Sequence, residues 1–560
     1  MIVEEPLIPL PDGARLTARI WRPETSEPVP ALLEYIPYRW RDCTVARDER
    51  IHPWFAGRGF ASARVDIRGS GGSDGILLDE YLQSELEDGA AVVAWLAAQP
   101  WCSGRIGMFG KSWGGFNALQ VAALRPPALG AVISVCGTDD RYADDVHYMG
   151  GCLLASDMLP WAAWMLAYNA RPRYGSHELR LGSPPFVEEW LRHQRRDAFW
   201  QHGSVCEDYS KIQVPAWLVG GWHDPYRNAV FRYLEGATAP RWGLVGNWAH
   251  NYPHDGLPGP PAEWREMAGR WFDHWLRDGP ELDWPSLMAW IDGRWLTPRS
   301  IELQKLELAG SGRVETDLWC GAEAACWCPG AAGEDMPGPD DGIGLELEAA
   351  FEGEVLGFPE AILELDWDRP KALVAVRLCE GDRVIARGLA NLFERSPGEV
   401  RVRLQATGHR FRGRLRLMVS PAYWPWAWPS SELVRLQVRA ARLELPVLTV
   451  SDPVAVPAAP ALTPTGGFRR RVERDGSRQV VTYDYAHFPR RPGYREIGRD
   501  TFTIDRFDPL SARVDCERRC DVDGVRVEAR TSMWSDAEAF HVLTSLAGEE
   551  RRVSLPRETV

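Results

Sequence analysis

Gly110-Lys111-Ser112-Trp113-Gly114 reads G-x-S-x-G, and its flanks decide the fold. Upstream, Arg105-Ile106-Gly107-Met108-Phe109 is an apolar run of strand length. Downstream, residues 115–124 are rich in Ala and Leu and stop short of Pro126, as a helix should. Strand, tight Gly-flanked turn and helix form the context in which this pattern lifts a serine onto a sharp elbow at a strand's C-terminal end. Glycines suit the neighbouring positions because the serine backbone is strained there and a Cβ beside it would collide. The turn also aims the first N–H groups of the helix at negative charge developing beside the hydroxyl. Ser112 is therefore the candidate nucleophile. The alternative is a solvated serine in an ordinary Gly-rich turn.

Working outward, residues 31–36 and 60–65 read as strands, residues 85–98 as an amphipathic helix, and residues 131–135 as the strand after the elbow helix. This alternation predicts an α/β unit with a mostly parallel sheet over residues 1–137. Residues 138–211 break the rhythm. Trp161-Ala162-Ala163-Trp164-Met165-Leu166 and Phe186-Val187-Glu188-Glu189-Trp190-Leu191 are helical and aromatic, and Pro160 suits a first helical position, so an inserted helical cap is expected. The α/β pattern resumes at Val214-Pro215-Ala216-Trp217-Leu218-Val219 and closes with a helix over residues 261–277, which makes 212–300 its second half. Past residue 300 the segments alternate, as in Ala361-Ile362-Leu363-Glu364-Leu365 and Arg401-Val402-Arg403-Leu404, predicting a β-sandwich over 301–460. A Pro/Ala-rich stretch, residues 453–464, reads as a connector. Residues 461–560 read as an additional β-rich segment, with Gln479-Val480-Val481-Thr482-Tyr483 one of its strands.

At 560 residues the chain exceeds one hydrophobic core, so two to four domains are expected. A net charge of −14 with no basic stripe argues against a nucleic-acid partner. Met1-Ile2-Val3-Glu4-Glu5-Pro6 lacks the charge and apolar pattern of a leader, and no apolar run reaches membrane-spanning length. A cytoplasmic protein without a membrane partner is the expectation, a secreted mature chain the alternative. The cysteines number eleven, an odd count without framework spacing, which predicts free thiols. Cys320, Cys326 and Cys328, and Cys516 with Cys520, lack paired C-x-x-C spacing and a nearby histidine, so no metal site and no cofactor are expected.

A serine nucleophile needs a base, and the base an orienting acid, each just past the end of a later strand. Gly220-Gly221-Trp222-His223-Asp224 follows one strand, and Asn247-Trp248-Ala249-His250 follows the next, Trp242-Gly243-Leu244-Val245-Gly246. Asp224 and His250 thus fall on the same sheet edge as Ser112, with His254 the rival base and His223 expected to point elsewhere.

These three blocks resemble those of the cocaine-esterase-like (CocE/NonD) serine hydrolases, relatives of X-Pro dipeptidyl-peptidases and α-amino-acid ester hydrolases. Asp66-Ile67-Arg68-Gly69-Ser70-Gly71-Gly72-Ser73-Asp74-Gly75 and Trp101-Cys102-Ser103-Gly104-Arg105-Ile106-Gly107 match further blocks of that group. The resemblance implies an α/β-hydrolase fold with an inserted helical cap, followed by a C-terminal jelly-roll region, and cofactor-free hydrolysis of esters, amides or peptides. It also implies an oxyanion hole made by the Trp113 backbone N–H and the hydroxyl of Tyr38, from Ile36-Pro37-Tyr38-Arg39. On the residues alone, Tyr35 is an equal choice. The run from Asp66 to Gly75 is expected to support the site as a strand end and turn.

In the α-amino-acid ester hydrolases, carboxylates two and three positions after the triad acid help to bind the substrate ammonium. Here those positions are Tyr226 and Arg227. Asp139, Asp140, Asp144 and Asp145 remain as alternative anions, although a solvated acidic loop is expected. Trp161, Trp164, Trp190 and Trp200 are candidate pocket walls, and Trp161 and Trp164 share a helix face that equally suits cap core. The expected substrate is a small neutral, hydrophobic or aromatic ester or amide. An X-Pro dipeptide or α-amino ester is the alternative, and a non-catalytic β-sandwich binding protein the alternative of another class. Any protein partner is expected to be a further copy of this chain.

Overall fold

Val29–Ile36 is buried at every position after Val29, as a strand covered on both faces must be, and it lies at the centre of the first sheet. The computed structural model describes residues 1–461, 466–487 and 491–559. In chain order the first strands are β1 (Ile2–Glu4), β2 (Leu7–Pro9), β3 (Arg15–Arg22), β4 (Val29–Ile36), β5 (Ala61–Asp66), β6 (Cys102–Lys111) and β7 (Leu129–Val135). A two-residue hairpin follows, β8 (Tyr148–Met149) with β9 (Cys152–Leu153), then β10 (Ala216–Gly221), β11 (Arg241–Gly246) and β12 (Leu287–Ile291). From β3 the sheet runs β3-β5-β4-β6-β7-β10-β11-β12, with every pairing after the antiparallel β3–β5 parallel.

Helices cover both faces: α1 (Val45–Gly57), α2 (Gln83–Ala97) and α3 (Trp113–Ala123), with a later pair introduced below. Right-handed crossovers between parallel strands leave the loops after β4, β6, β10 and β11 on one edge. Those loops carry Tyr38, Ser112, Asp224 and His250.

Between β7 and β10 the expected helical cap is only partly helical. α4 (Met158–Asn169) is a true helix, whereas α5 (Val187–Trp190) and α6 (Ala198–Gln201) are single turns. Pro172, Pro184, Pro185, Gly175 and Gly182 interrupt the rest, because proline lacks a donor and both glycines have positive φ. Pro160 is the third helical residue of α4, not the first, where its missing N–H still costs no helical hydrogen bond. The acidic segment also departs from expectation. Asp139, Asp140, Asp144 and Asp145 are buried, not solvated, and Arg196 and Arg232 pair with three of them: Arg196 with Asp140, Arg232 with Asp139 and Asp144.

After β10 come α7 (Arg227–Gly236) and α8 (Trp264–Arg277). The boundary expected near residue 300 falls inside one long strand, Arg294–Glu307, which pairs with β12 at one end and with Arg435–Pro453 along the rest. The C-terminal region is all β. Strands between Leu345 and Pro453 pair in antiparallel fashion around one apolar core that includes Leu363, Val376, Leu417 and Leu443. Of the connector, residues 453–461 lie against the α/β unit, with Ala458 bridged to Ala262, while residues 462–464 fall outside the described residues. The described strands from Gly466 to Pro556 form a separate seven-stranded antiparallel meander.

Candidate active site

Ser112 sits between β6 and α3 with φ 58° and ψ −125°, a conformation costly for a residue with a Cβ. Its N–H donates to the Val135 carbonyl at 2.9 Å, and its own carbonyl accepts from Gly115 and Phe116, which fixes the turn from both sides. Space, more than dihedral freedom, explains the glycines. A Cβ on Gly110 would lie 2.5 Å from the Gly114 carbonyl carbon, and one on Gly114 would lie 2.8 Å from Ile36 Cγ2.

Asp224 follows β10 and is fully buried; its Oδ1 accepts from His250 Nδ1 at 2.8 Å. That bond leaves Nε2 of His250 for proton transfer. The imidazole is 13% exposed, and burial, followed by the nearby Lys111 ammonium, pulls its pKa below the usual histidine value against the pull of Asp224. Lys111 Nζ donates to the His250 carbonyl at 2.9 Å, tying the base's loop to the elbow. His254 is elsewhere: buried, 3.9 Å from Asp255, stacked near Trp264, with its pKa pushed down to about 4 by burial. His223 faces Asn247 at 3.1 Å, away from the serine.

Tyr38 lies just past β4, and its side chain lines the same cavity as Ser112. Burial raises its pKa, so the phenol stays a protonated donor. Its ring meets Trp113 and Trp161 edge-on, with centroids 6.3 and 6.4 Å apart. Tyr35 is excluded from this role, since its hydroxyl donates to the Glu85 carbonyl inside the core. The Trp113 N–H is the first of α3 and so has no acceptor one turn back within the helix. Asp66 acts on this loop as a support: its carboxylate accepts from the Trp40 N–H at 3.2 Å and from the Tyr174 hydroxyl at 2.6 Å. A Cβ on Gly71 would strike it at 1.9 Å, which accounts for a glycine there.

Ser112, His250 and Tyr38 line one cavity of about 530 Å³, together with Trp161, Trp164 and Tyr226. Trp161 is fixed by donating Nε1 to Glu80 at 2.6 Å, and Trp164 packs its other side under the Arg518 guanidinium. Trp190 and Trp200 are core residues clasping His147 and do not line the cavity. Arg227 does not line it either. Its guanidinium turns toward the β region, donating to Ala406 O at 2.6 Å and Gln405 Oε1 at 3.0 Å, and back to Asp224 O at 3.1 Å. It braces the loop of the acid, because five fixed N–H donors there find backbone and amide acceptors. Tyr226 donates to Asp145 at 2.8 Å, Asp144 accepts from Asn228 and pairs with Arg232 at 2.7 Å, and neither aspartate lines the cavity.

Sequence reasoning missed Cys136, whose sulfur lies within 4.8 Å of both the Asp224 carboxylate and the His250 imidazole. Among the described residues two further clusters bring ligand-type atoms this close, Glu34/Asp48/His52 and Glu80/Asp145/His147. In the first, Arg47 already faces Glu34 at 2.6 Å and Arg64 faces Asp48 at 3.4 Å. In the second, His147 faces Glu80 at 3.2 Å, and burial pushes Glu80 and Asp145 up to about 7, toward the neutral form.

Residues 12–252 match the family model described as X-Pro dipeptidyl-peptidase (S15 family). Over those residues, a little under half of the chain, the sequence is similar to that family. Cocaine esterase from Rhodococcus sp. (strain MB1 Bresler) is 25% identical over 279 residues, 44% of this chain and 48% of that protein. A putative Xaa-Pro dipeptidyl-peptidase from Streptomyces avermitilis is 27% identical over 242 residues, 40% of this chain and 34% of that one. The S15-type match thus spans about half the length, or less, of these curated relatives. Among solved structures, an aminopeptidase from a marine sediment Thaumarchaeota archaeon superposes with a TM-score of 0.65 at 16% identity, covering 80% of this chain and 96% of that one. An α-amino acid ester hydrolase gives 0.63 at 16% identity, over 80% and 96%. A CocE/NonD family hydrolase from Staphylococcus aureus gives 0.63 at 16%, over 80% and 94%. At such identity the likeness is one of fold.

Proposed function

We propose that this chain is a serine hydrolase that cleaves carboxylic esters or amides through an acyl-enzyme intermediate. The observation that carries the reading is Ser112, held at φ 58° on the elbow, opening onto the same cavity as the Asp224-oriented His250 and the Tyr38 hydroxyl. In this reading Ser112 Oγ attacks the carbonyl while His250 Nε2 takes its proton, and Asp224 stabilises the imidazolium. The Tyr38 hydroxyl and Trp113 N–H receive the oxyanion. His250 then returns the proton to the leaving group, and water repeats the sequence to release the acid. No step calls for a cofactor.

The substrate class proposed is a small neutral ester or amide with an aryl or apolar acyl group. Aromatic walls support it, and so does the engagement of the acids at hand. Asp145 and Asp144 are taken as described, and Asp157, which lines the cavity, accepts from Ser156 Oγ at 2.5 Å and the Trp327 N–H at 2.8 Å. Neither Asp144 nor Asp145 lines the cavity, and Asp157 already accepts two hydrogen bonds. We read the segment around α4 as a cap and the sandwich as a jelly roll.

Labelling with a fluorophosphonate probe, then a panel of p-nitrophenyl acyl esters, α-amino esters and Xaa-Pro-p-nitroanilides, tests both levels. Folded protein that leaves Ser112 unlabelled would sink the hydrolase. If the Xaa-Pro substrates gave the highest kcat/KM, the pocket reading would be wrong and a dipeptidyl-peptidase right.

A further inference from the structure

The C-terminal meander is not an appendage. Its strands Arg478–His487 and Tyr494–Asp505 reach the cavity, where Tyr485, His487 and Glu496 line the wall beside Trp164 and Tyr168. The sheet is fastened there by packing: Leu166 and Ala167 of α4, with Ala170 just past its end, bury against Cys520, Val527 and Ala529. Arg518 adds polar fastening, pairing with Asp500 and donating to the Pro160 carbonyl at 3.0 Å.

A second set of contacts reaches the loop that carries Tyr38. The Cys43 thiol, five residues on, donates to Glu496 Oε1 at 2.8 Å, and the Tyr494 hydroxyl donates to the same oxygen. Arg171, just past α4, donates to Tyr494 Oη at 2.6 Å and to Cys43 Sγ at 3.2 Å, which closes the network. Nearer to Tyr38, Asp42 binds the Arg39 guanidinium and faces Arg491 at 3.8 Å. Arg39 itself has φ 62°, so the segment after Tyr38 is strained and needs outside contacts to hold its shape.

From these two observations, we propose that the C-terminal sheet is a working part of the active site. Through Glu496 and Tyr494 it holds Cys43, and so positions the Tyr38 hydroxyl. Through Tyr485 it forms the wall that selects the aromatic or apolar portion of the substrate distant from the scissile bond. Cys43, Glu496 and Tyr494 are positioning residues, whereas Tyr485 determines specificity. The inference rests on the hydrolase reading above.

The test uses the full chain, with active sites counted by fluorophosphonate titration and an uncharged aryl ester as substrate. Cys43→Ala should lower kcat about tenfold with little change in KM, since a displaced transition-state donor costs rate and not ground-state binding. Cys43→Ser keeps a small donor and should restore most of that loss. In a Tyr38→Phe background, Cys43→Ala should add less than about twofold, because both changes act through one hydroxyl. Tyr485→Ala should lower the ratio of kcat/KM for a naphthyl-bearing ester to that for an acetate ester. Losses from Cys43→Ala and Tyr38→Phe that multiply, or a serine variant no better than alanine, would overturn the positioning role. An unchanged naphthyl-to-acetate ratio would overturn the wall. Wild-type protein that neither labels nor turns over ester would instead sink the hydrolase reading itself, before any variant is compared.

Discussion

Removing the Tyr38 hydroxyl isolates one term of the proposed chemistry. Tyr38→Phe keeps the ring and so retains the edge-on contacts with Trp113 and Trp161, and little cost to folding is expected. What is lost is a donor on the wall of the cavity that Ser112 lines. Of the two oxyanion donors assigned, the Trp113 N–H stays, held by the helix backbone. One donor of this kind is worth about 3 kcal/mol of barrier, so kcat should fall roughly 150-fold. A donor that acts on the oxyanion adds little to ground-state binding, so KM should change little. Steady-state kinetics on a p-nitrophenyl ester, normalised to titrated sites, measure both constants. A fall in kcat below about tenfold, or a change confined to KM, would remove Tyr38 from the oxyanion hole.

Two other perturbations bear on the base. His250→Ala should cut turnover by about a thousandfold or more, while His254→Ala, normalised to fluorophosphonate-titrated sites, should keep most of it; the reverse ranking in an ester assay would mean the base is misassigned. His250 acts only when neutral, and burial and Lys111 lower its pKa, so the acid limb of kcat/KM should lie below the ordinary histidine range. Lys111→Met removes a charge that opposes the imidazolium and should move that limb to higher pH, whatever the loss in amplitude. A limb that stays put, or moves down, would show that Lys111 does not tune the base.

The elbow was legible because it is local. Strand, turn and helix lie within some twenty residues, and the glycines answer to atoms four residues away, as between Gly110 and Gly114. Asp224 and His250 were legible because parallel strands joined by crossovers put every strand's C-terminal end on one edge, so position along the chain predicts position in space. The same reasoning failed in the cap region, where prolines and glycines break the helices and side-chain bonds hold the shape. It also failed for the acidic loop. A sequence shows four aspartates together but not the arginines, Arg196 and Arg232, that arrive from other elements to bury them.

What the sequence determined by itself was which candidate site residues fall at strand ends and the order of the layers, since periodicity, turn chemistry and strand-end position are properties of neighbours along the chain. What only the tertiary structure decided was which side chains the cavity receives. Arg227 follows Tyr226 directly, yet Tyr226 lines the cavity just before α7 begins, while Arg227 opens the helix and turns toward the β region to brace Asp224. Glu496 lies 384 residues beyond Ser112 in the numbering, and nothing nearby in sequence hints that it meets Cys43. Such a meeting depends on how the meander packs against α4, and that docking is fixed by apolar surface and buried ion pairs whose partners are far apart in the chain.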